Sequence, residues 1–376
     1  MALLRTLWQW PGNLEYFPLI DHRLFKKTIP NIIQESTKMP SDKRSGNMDP
    51  RLALALSEID AIVQATPNLT LDEDYLPGFP GGTNTALFGH LNGKPIVFKY
   101  FHDKERKNQE EKVLELFQKT GYVPQIYPIK NDSVLIIERL PGLPFFMVEE
   151  NISLDEWEGL FNQLGQVLAR IVKIAPGADL AIPGRQNLPR EPGFDYKFYC
   201  TANLETFFDT VIEISAGVLE TSDLPHQSLL ENSLNNLRAN RDAILAYRSF
   251  IFLDDFHYSN IIAQGPSLQG FIDLEMSRYS NEVLVLGSVM ASVIPSQLER
   301  WSWIKTGYEA IRENRLNPET IYLSEIVAPF NRWIRFMWYW GCDEVPDWAK
   351  EKNLRMSIIQ DIKDVVNIIE SLRAIS

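Results

Sequence analysis

Cysteine is almost absent: Cys200 and Cys342 are the two in 376 residues, too far apart in sequence to form a metal motif or a disulfide framework. A reducing, cytoplasmic setting fits that scarcity. Histidine is as thin, with His22, His90, His102, His226 and His257 scattered so that no histidine metal cluster can be read. Basic charge is short as well. Lys and Arg number 37 against 49 Asp and Glu, a formal net charge of -12. Such a surface argues against sequence-independent binding of nucleic acid or of an anionic membrane, and it favours neutral or cationic partners. Long apolar runs are missing too. The N-terminal Met1-Ala-Leu-Leu-Arg-Thr-Leu-Trp-Gln-Trp-Pro11 is broken by Arg5, Gln9 and Pro11 well before the length of a signal sequence or a span, so the chain is expected to be neither secreted nor membrane-spanning. No internal repeat or low-complexity tract is visible.

What is present suits a large folded protein. With 45% hydrophobic residues the chain can bury a sizeable core, and its length points to two lobes. Met39 to Pro50 is polar and rich in turn formers, so residues 1–50 read as an appendage and linker. Leu52, Leu56, Ile59 and Val63 recur at helical spacing before Pro67. Thr85 to Leu91, Asn92-Gly93 and Pro95 to Phe101 read as a hairpin, because Asn-Gly between apolar runs is a strong turn signal. A helix is expected from about Asp103 to Lys119, then strands at Pro124–Pro128 and Ser133–Leu140, closing a small sheet.

From Ser153 the pattern turns helical. Helices are expected at Asp155–Lys173, Leu204–Leu219, Leu229–Tyr247, Val283–Ile294, Leu298–Asn314, Glu325–Trp340 and Asp347–Ala374, with Pro176–Pro192 an irregular loop. Residues 51–142 therefore read as one lobe and 143–376 as the other, an α+β chain with a small antiparallel sheet followed by a mainly helical region.

Chemistry concentrates in Phe250-Ile-Phe-Leu-Asp-Asp-Phe-His-Tyr-Ser-Asn-Ile-Ile262 and Gly270-Phe-Ile-Asp-Leu-Glu275. Asp255 and Asn260 fall on a loop between apolar segments, and Asp273 ends another apolar run. This is the layout of metal-assisted phosphoryl transfer: an acid to orient a hydroxyl nucleophile, and an amide and a second acid to hold Mg2+, a hard cation that prefers oxygen. The same Asp, Ser and Asn also suit a plain turn. His257 is expected to bond the loop backbone, since Asp255 already occupies the base position. The roles of Asp254 and Glu275 are not separable at this level.

Upstream, Gly78-Phe-Pro-Gly-Gly-Thr-Asn-Thr85 offers Gly81 and Gly82 for close backbone approach to phosphates, with Thr83 and Asn84 as donors, or simply a turn. Lys99 stands among apolar strand residues, so it either faces solvent or meets an anion. Glu110, Glu111 and nucleotide phosphates are the available partners. Near the end of the chain, Trp333, Met337 and Trp340 share helical spacing and read as core. Trp338, Asp343, Glu344, Asp347 and Trp348 suit a pocket for an amine or guanidine, with a solvated helix connection as the plain alternative.

In order, these elements resemble the aminoglycoside phosphotransferase and choline kinase group, small-molecule kinases with a two-lobed protein-kinase-like fold. The group's His-Gly-Asp-Leu-His-Pro-Gly-Asn and Ile-Asp-Trp/Phe-Glu correspond to Leu253-Asp-Asp-Phe-His-Tyr-Ser-Asn260 and Ile272-Asp-Leu-Glu275. The resemblance implies Asp255 as catalytic base, Asn260 and Asp273 as magnesium ligands, Lys99 as the phosphate-binding lysine and Glu110 as its helix partner, with Glu111 competing. Val123-Pro124 and Leu140-Pro-Gly142 match further signposts, which implies that the backbone of Glu138 to Leu140 meets adenine. Tyr75 to Gly287 is the span covered.

Two departures stand out. Leu253 and Asp254 replace the histidine and glycine that brace the family's loop, and the helices from Leu204 to Tyr247 form a long insertion where family members place acceptor contacts. The resemblance implies transfer of the γ-phosphoryl group of ATP to a small-molecule hydroxyl, with Mg2+ as cofactor. A protein or peptide acceptor is the second reading, though no Ala-Pro-Glu activation segment is present. A degenerate nucleotide-binding scaffold is the third.

Overall fold

The computed structural model describes residues 50–72, 84–148, 152–174, 202–252, 258–293, 298–312, 315–341 and 352–375. The contacts divide the chain into two units, one holding the described residues up to Glu111 with Gln125–Arg139, the other Lys112–Pro124 with those from Leu140 onward.

The first unit opens with α1 (Pro50–Ala65), whose Ala55, Ile59 and Ile62 are buried; of the four positions expected to face the core, Ile59 is buried, while Leu52, Leu56 and Val63 pack half-buried against the same cluster. Asn68 takes a left-handed conformation, φ 58°, and turns the chain into β1 (Leu69–Leu71). β2 (Asn84–Leu91) and β3 (Lys94–Phe101) form the expected hairpin, with Asn92 and Gly93 both at positive φ. With β4 (Val134–Glu138) they make an antiparallel sheet in the order β1-β2-β3-β4. An ideal Cβ on Gly89 would stand 2.1 Å from the Thr70 carbonyl oxygen, so the close approach of β1 requires glycine there.

Alternation along β3 separates two faces. Ile96, Phe98 and Tyr100 pack with Leu87, Val134 and Ile136 against α1. Each such apolar side chain contributes about 1.5–3 kcal/mol on burial. Lys99 lies between them in sequence and so points to the opposite face. The helix α2 (Lys104–Phe117) follows. The expected strand at Pro124–Pro128 is not a strand: Ile126 makes one isolated bridge to Ile137, flanked by bonds from the Tyr127 amide to Ile136 and from the Glu138 amide to Gln125. Pro124 and Pro128 have no N–H with which to lengthen a ladder.

In the second unit a short β5 (Leu143–Pro144) and α3 (Phe145–Val148) precede α4 (Leu154–Ile174). A capping box starts α4: the Ser153 amide and hydroxyl both donate to the Glu156 carboxylate, and the Glu156 amide donates back to the Ser153 hydroxyl. Those bonds hold the Glu156 carboxyl below its usual range. Asn203 caps α5 (Leu204–Thr221).

The single helix expected over Leu229–Tyr247 is two, α6 (Gln227–Ala239) and α7 (Arg241–Leu245). Asn240 breaks them apart, its side-chain amide donating to the Asn236 carbonyl in competition with the helical ladder. Strands β6 (Phe250–Phe252), β7 (Ile261–Gln264), β8 (Ser267–Phe271) and β9 (Arg278–Ser280) form two small antiparallel sheets, β5-β7-β8 and β6-β9.

Helices α8 (Glu282–Val293), α9 (Leu298–Arg312), α10 (Pro318–Val327), α11 (Phe330–Gly341) and α12 (Lys352–Ile375) complete the unit. The helix expected at Glu325–Trp340 is corrected to α10 and α11, parted near Pro329, which has no amide to donate. Helix α4 packs directly on α9 through glycines: an ideal Cβ on Gly165 would lie 2.0 Å from the Ile304 oxygen, and one on Gly307 would lie 1.9 Å from the Asn162 oxygen. Among the described residues, no helix is long and apolar enough to cross a membrane.

Candidate active site

In the first unit Lys99 is held by register on both sides, opposite Ala86 on β2 and Leu135 on β3's other neighbour β4. Its ammonium donates to Glu110 of α2 at 2.5 Å, and the two side chains are 9% and 1% exposed. Burying such a pair gains little net stability, so its value is geometric: it fixes an ammonium at one place on the sheet. Glu111, the competing partner in the sequence, is instead bound by Lys107 at 2.7 Å, one helical turn earlier. The next carbon on an α-helix is about 100° round the axis, so adjacent glutamates cannot serve the same lysine.

Asn84 begins β2, buried, opposite Phe101. Gly81, Gly82 and Thr83 lie outside the described residues. Of the backbone expected to meet adenine, the Glu138 amide donates to Gln125 and the Arg139 amide to Pro95. The Glu138 carboxylate accepts from the Gln125 amide at 3.2 Å. On the other face of β3, burial and then the Glu58 carboxylate push the Tyr100 phenol upward, which keeps it neutral.

In the second unit β6 is wholly buried and leads to Leu253, Asp254, Asp255 and His257, which lie outside the described residues. Asn260 follows, buried, at the foot of β7. Its carbonyl accepts the Ile272 amide at 2.9 Å, and Ile261 pairs with Phe271. The β7–β8 hairpin therefore sets Asn260 beside the residue preceding Asp273. Leu140 lies in this unit, and its side chain approaches Gly270.

Gly270 has φ 152°, and an ideal Cβ there would meet the Tyr122 carbonyl oxygen at 2.5 Å, so only glycine lets that carbonyl accept the Phe271 amide. Asp273 is left-handed, φ 62°, a conformation costing about 1–2 kcal/mol in a non-glycine residue. Strain of this kind concentrates at functional sites. Ser277 closes the following turn, its amide and hydroxyl both donating to the Leu274 carbonyl.

A carboxylate oxygen of Asp273 lies within 4.8 Å of one from the buried Glu275. Two like charges so close raise each other's energy, and a divalent cation offsets both. Asn260, joined to Ile272 by a backbone bond, carries a further hard oxygen donor at the same end of the hairpin, and donors of this type fit magnesium.

The acceptor-pocket candidates are mostly beyond description: Asp343, Glu344, Asp347 and Trp348 lie outside the described residues. Trp338 is partly buried on α11, its ring 5.0 Å from that of Tyr339. Trp333 and Met337 are core as expected, while Trp340 is half-buried and donates to the Arg355 carbonyl.

Two supporting residues escaped the sequence reading. Asn281 is fully buried; it caps α8 through the Leu284 amide and donates to the Ile244 carbonyl. Ser280-Asn281-Glu282 ahead of an apolar run is a capping signature that would have found it. Arg300, buried beside Tyr258, has no such local signal.

Comparison with known proteins bears on the fold and the family. Among solved structures, the fold is similar to the GDP complex of wild-type aminoglycoside 2'-phosphotransferase-IIIa, with a TM-score of 0.58 and 13% identity over 85% of this chain and 99% of that one. Ethanolamine kinase of Plasmodium vivax gives 0.56 and 12% over 91% and 96%, and macrolide 2'-phosphotransferase of Brachybacterium faecium 0.50 and 13% over 81% and 98%. At these identities the likeness is one of fold, a protein-kinase-like fold.

In sequence, serine/threonine-protein kinase 1 of African swine fever virus is 38% identical over 69 residues, 18% of this chain and 23% of the viral protein. The chain thus spans less than a quarter of the length of the curated relatives it matches. A family model described as "Phosphotransferase enzyme family" matches residues 79–298, more than half of the sequence. On that match, the chain belongs to the phosphotransferase enzyme family.

Proposed function

We propose that this chain is an ATP- and magnesium-dependent phosphotransferase that moves the γ-phosphoryl group to a hydroxyl of a small molecule. The observation that carries the reading is the Asn260–Ile272 backbone bond, which brings an amide oxygen and the strained Asp273 to one end of a hairpin. Magnesium, when bound, supplies charge neutralisation to the nucleotide phosphates. Asn260 and Asp273 would hold it. Lys99, kept in place by Glu110, binds the α and β phosphates, while Gly81, Gly82, Thr83 and Asn84 approach them with backbone and side-chain donors. The backbone from Glu138 to Leu140 takes the adenine edge. Asp255 orients the acceptor hydroxyl and accepts its proton as the oxygen attacks phosphorus.

In this assignment residues 51–142 bind nucleotide, 143–376 carry the catalytic loop, metal and acceptor, and 1–50 are an appendage. Trp338, Asp343, Glu344 and Trp348 would face the acceptor, which the formal charge of -12 favours as a cationic molecule. The structural neighbours include a streptomycin–ATP complex, a gentamicin complex and an ethanolamine kinase, which supports a small amino-bearing acceptor. The 69-residue match to a viral serine/threonine kinase supports a peptide acceptor as the second reading. Phosphoproteomics of cells carrying the wild type or Asp255→Ala separates the two.

The test is ATP consumption across alcohols, amino alcohols and glycosides, together with melting in ATP and Mg2+. Ligand at a hundred times its dissociation constant should stabilise by about 2.7 kcal/mol. Binding without consumption over the whole panel would count against catalysis, and no stabilisation at all would count against nucleotide binding.

A further inference from the structure

Arg300 is 3% exposed, an unusual place for a guanidinium. It projects from α9 with its centre 4.7 Å from the Trp157 ring, 5.2 Å from Phe161 and 5.9 Å from Tyr258, and it donates to the Tyr258 hydroxyl at 3.2 Å. Phe145 closes the cluster, 4.8 Å from the Tyr258 ring and 5.1 Å from Trp157. A cation enclosed by aromatic faces is held by their quadrupoles, and its planar fork leaves it few orientations.

The elements behind this cluster are fixed. Helices α4 and α9 touch backbone to backbone at Gly165 and Gly307, which sets the register of Arg300 against Trp157 and Phe161. Helix α4 also grips the β7–β8 hairpin, where Gln163 donates to the Pro266 carbonyl and accepts the Leu268 amide. Tyr258 is two residues before Asn260. The backbone entering β7 is thus tied to α4 and α9 at both ends: through Gln163 at the hairpin turn, and through Arg300 and Tyr258 ahead of Asn260.

We propose that Arg300 is a positioning residue that, through the Tyr258 hydroxyl, fixes the backbone from Tyr258 to Asn260. Resting on the phosphotransferase reading, this tie also sets the magnesium concentration the enzyme needs.

The experiment compares Arg300→Met, Arg300→Lys and Tyr258→Phe in the full chain, with Arg241→Met as control. Arg241 is another clamped cation of the same unit, bound to Asp209 and Glu205, away from this cluster. Hydrogen exchange of the peptide Tyr258–Gln264 should quicken in Arg300→Met and Tyr258→Phe and stay at the wild-type rate in Arg241→Met. Half-saturating Mg2+ for ATP turnover should rise about tenfold in both, the scale of one lost charge-assisted hydrogen bond, while KM for ATP at saturating Mg2+ moves less than about twofold. The double variant should be no worse than either single, because both remove the same tie. Arg300→Lys should recover part of the loss.

Unchanged exchange and an unchanged magnesium requirement in Tyr258→Phe, which deletes a single oxygen and is expected to fold, would overturn the proposal. A wild type that neither binds nor consumes ATP would overturn the functional reading instead, and the exchange rates would still decide whether Arg300 secures the backbone from Tyr258 to Asn260.

Discussion

The ammonium of Lys99 and the carboxylate of Glu110 meet at 2.5 Å with both side chains buried, on the face of the sheet opposite α1. Removing one member takes from the other its buried ion-pair partner. Glu110→Ala should therefore cost about 3–5 kcal/mol of stability, whereas Lys99→Met with Glu110→Met, which removes both charges, should regain most of it. Thermal melts of the three proteins read this directly, and both charge deletions should abolish stabilisation by ATP. A Glu110→Ala protein that melts like the wild type would show that the pair is replaceable.

Asp273 separates backbone strain from metal binding. Asparagine tolerates φ 62° about as well as aspartate, so Asp273→Asn should fold with near-wild-type stability, yet lose the magnesium-dependent part of the ATP-induced shift in melting temperature. Asp255→Ala should do the reverse, keeping that shift and losing turnover by about 100-fold or more. Melts with ATP, with and without Mg2+, beside a turnover assay, distinguish the two.

Helix α4 offers an internal contrast between glycines. Nothing lies within 4 Å of a Cβ at Gly159, while one at Gly165 would strike the backbone of Ile304. Gly159→Ala should stabilise by about 0.4–1 kcal/mol, and Gly165→Ala should destabilise by about 1–3 kcal/mol as α4 and α9 are forced apart. Denaturant titrations of the two variants give opposite signs if that packing is right.

Alkaline pH should weaken the fold through Tyr308. Burial first, then the Glu282 carboxylate that accepts its hydrogen bond at 2.7 Å, hold this phenol far above the ordinary value of 10.0. The folded chain then keeps the proton where the unfolded chain releases it. The stabilisation is fully present below pH 10 and declines above it by up to about 1.4 kcal/mol per pH unit. Tyr308→Phe should melt lower at neutral pH but with a shallower loss above pH 10. Equal slopes for the two proteins would remove Tyr308 from the account.

Much of the local structure was legible from neighbouring residues. Asn92-Gly93 announced the hairpin because both positions need positive φ. Ser153 opens the helical region as expected, through its bonds with Glu156, whereas the helix start at Asn317-Pro318 was missed, the expected helix beginning only at Glu325. Failures came where a few polar or proline atoms outweighed periodicity: Asn240 and Pro329 divide helices that the apolar spacing ran together, and Pro124 and Pro128 reduce a strand to one bridge. The long helices survived these errors because many residues contribute to their pattern.

The order of amino acids set which chemical groups are available. It placed Lys99 on a strand and Glu110 and Glu111 together on the next helix, and it supplied an amide at Asn260 and acids at Asp273 and Glu275 near one hairpin. Choice among these groups belonged to packing. Glu110 and not Glu111 meets Lys99 because the helix turns the second glutamate toward Lys107. Asn260 stands next to Ile272 because the β7–β8 register pairs them. Arg300 reaches Tyr258 across 42 positions because glycines seat α9 on α4, and α4 in turn holds the β7–β8 hairpin through Gln163. Side-chain chemistry and short-range turns are properties of adjacent residues, so the chain spells them out, but partnership between distant residues depends on distances that exist only once the core has closed.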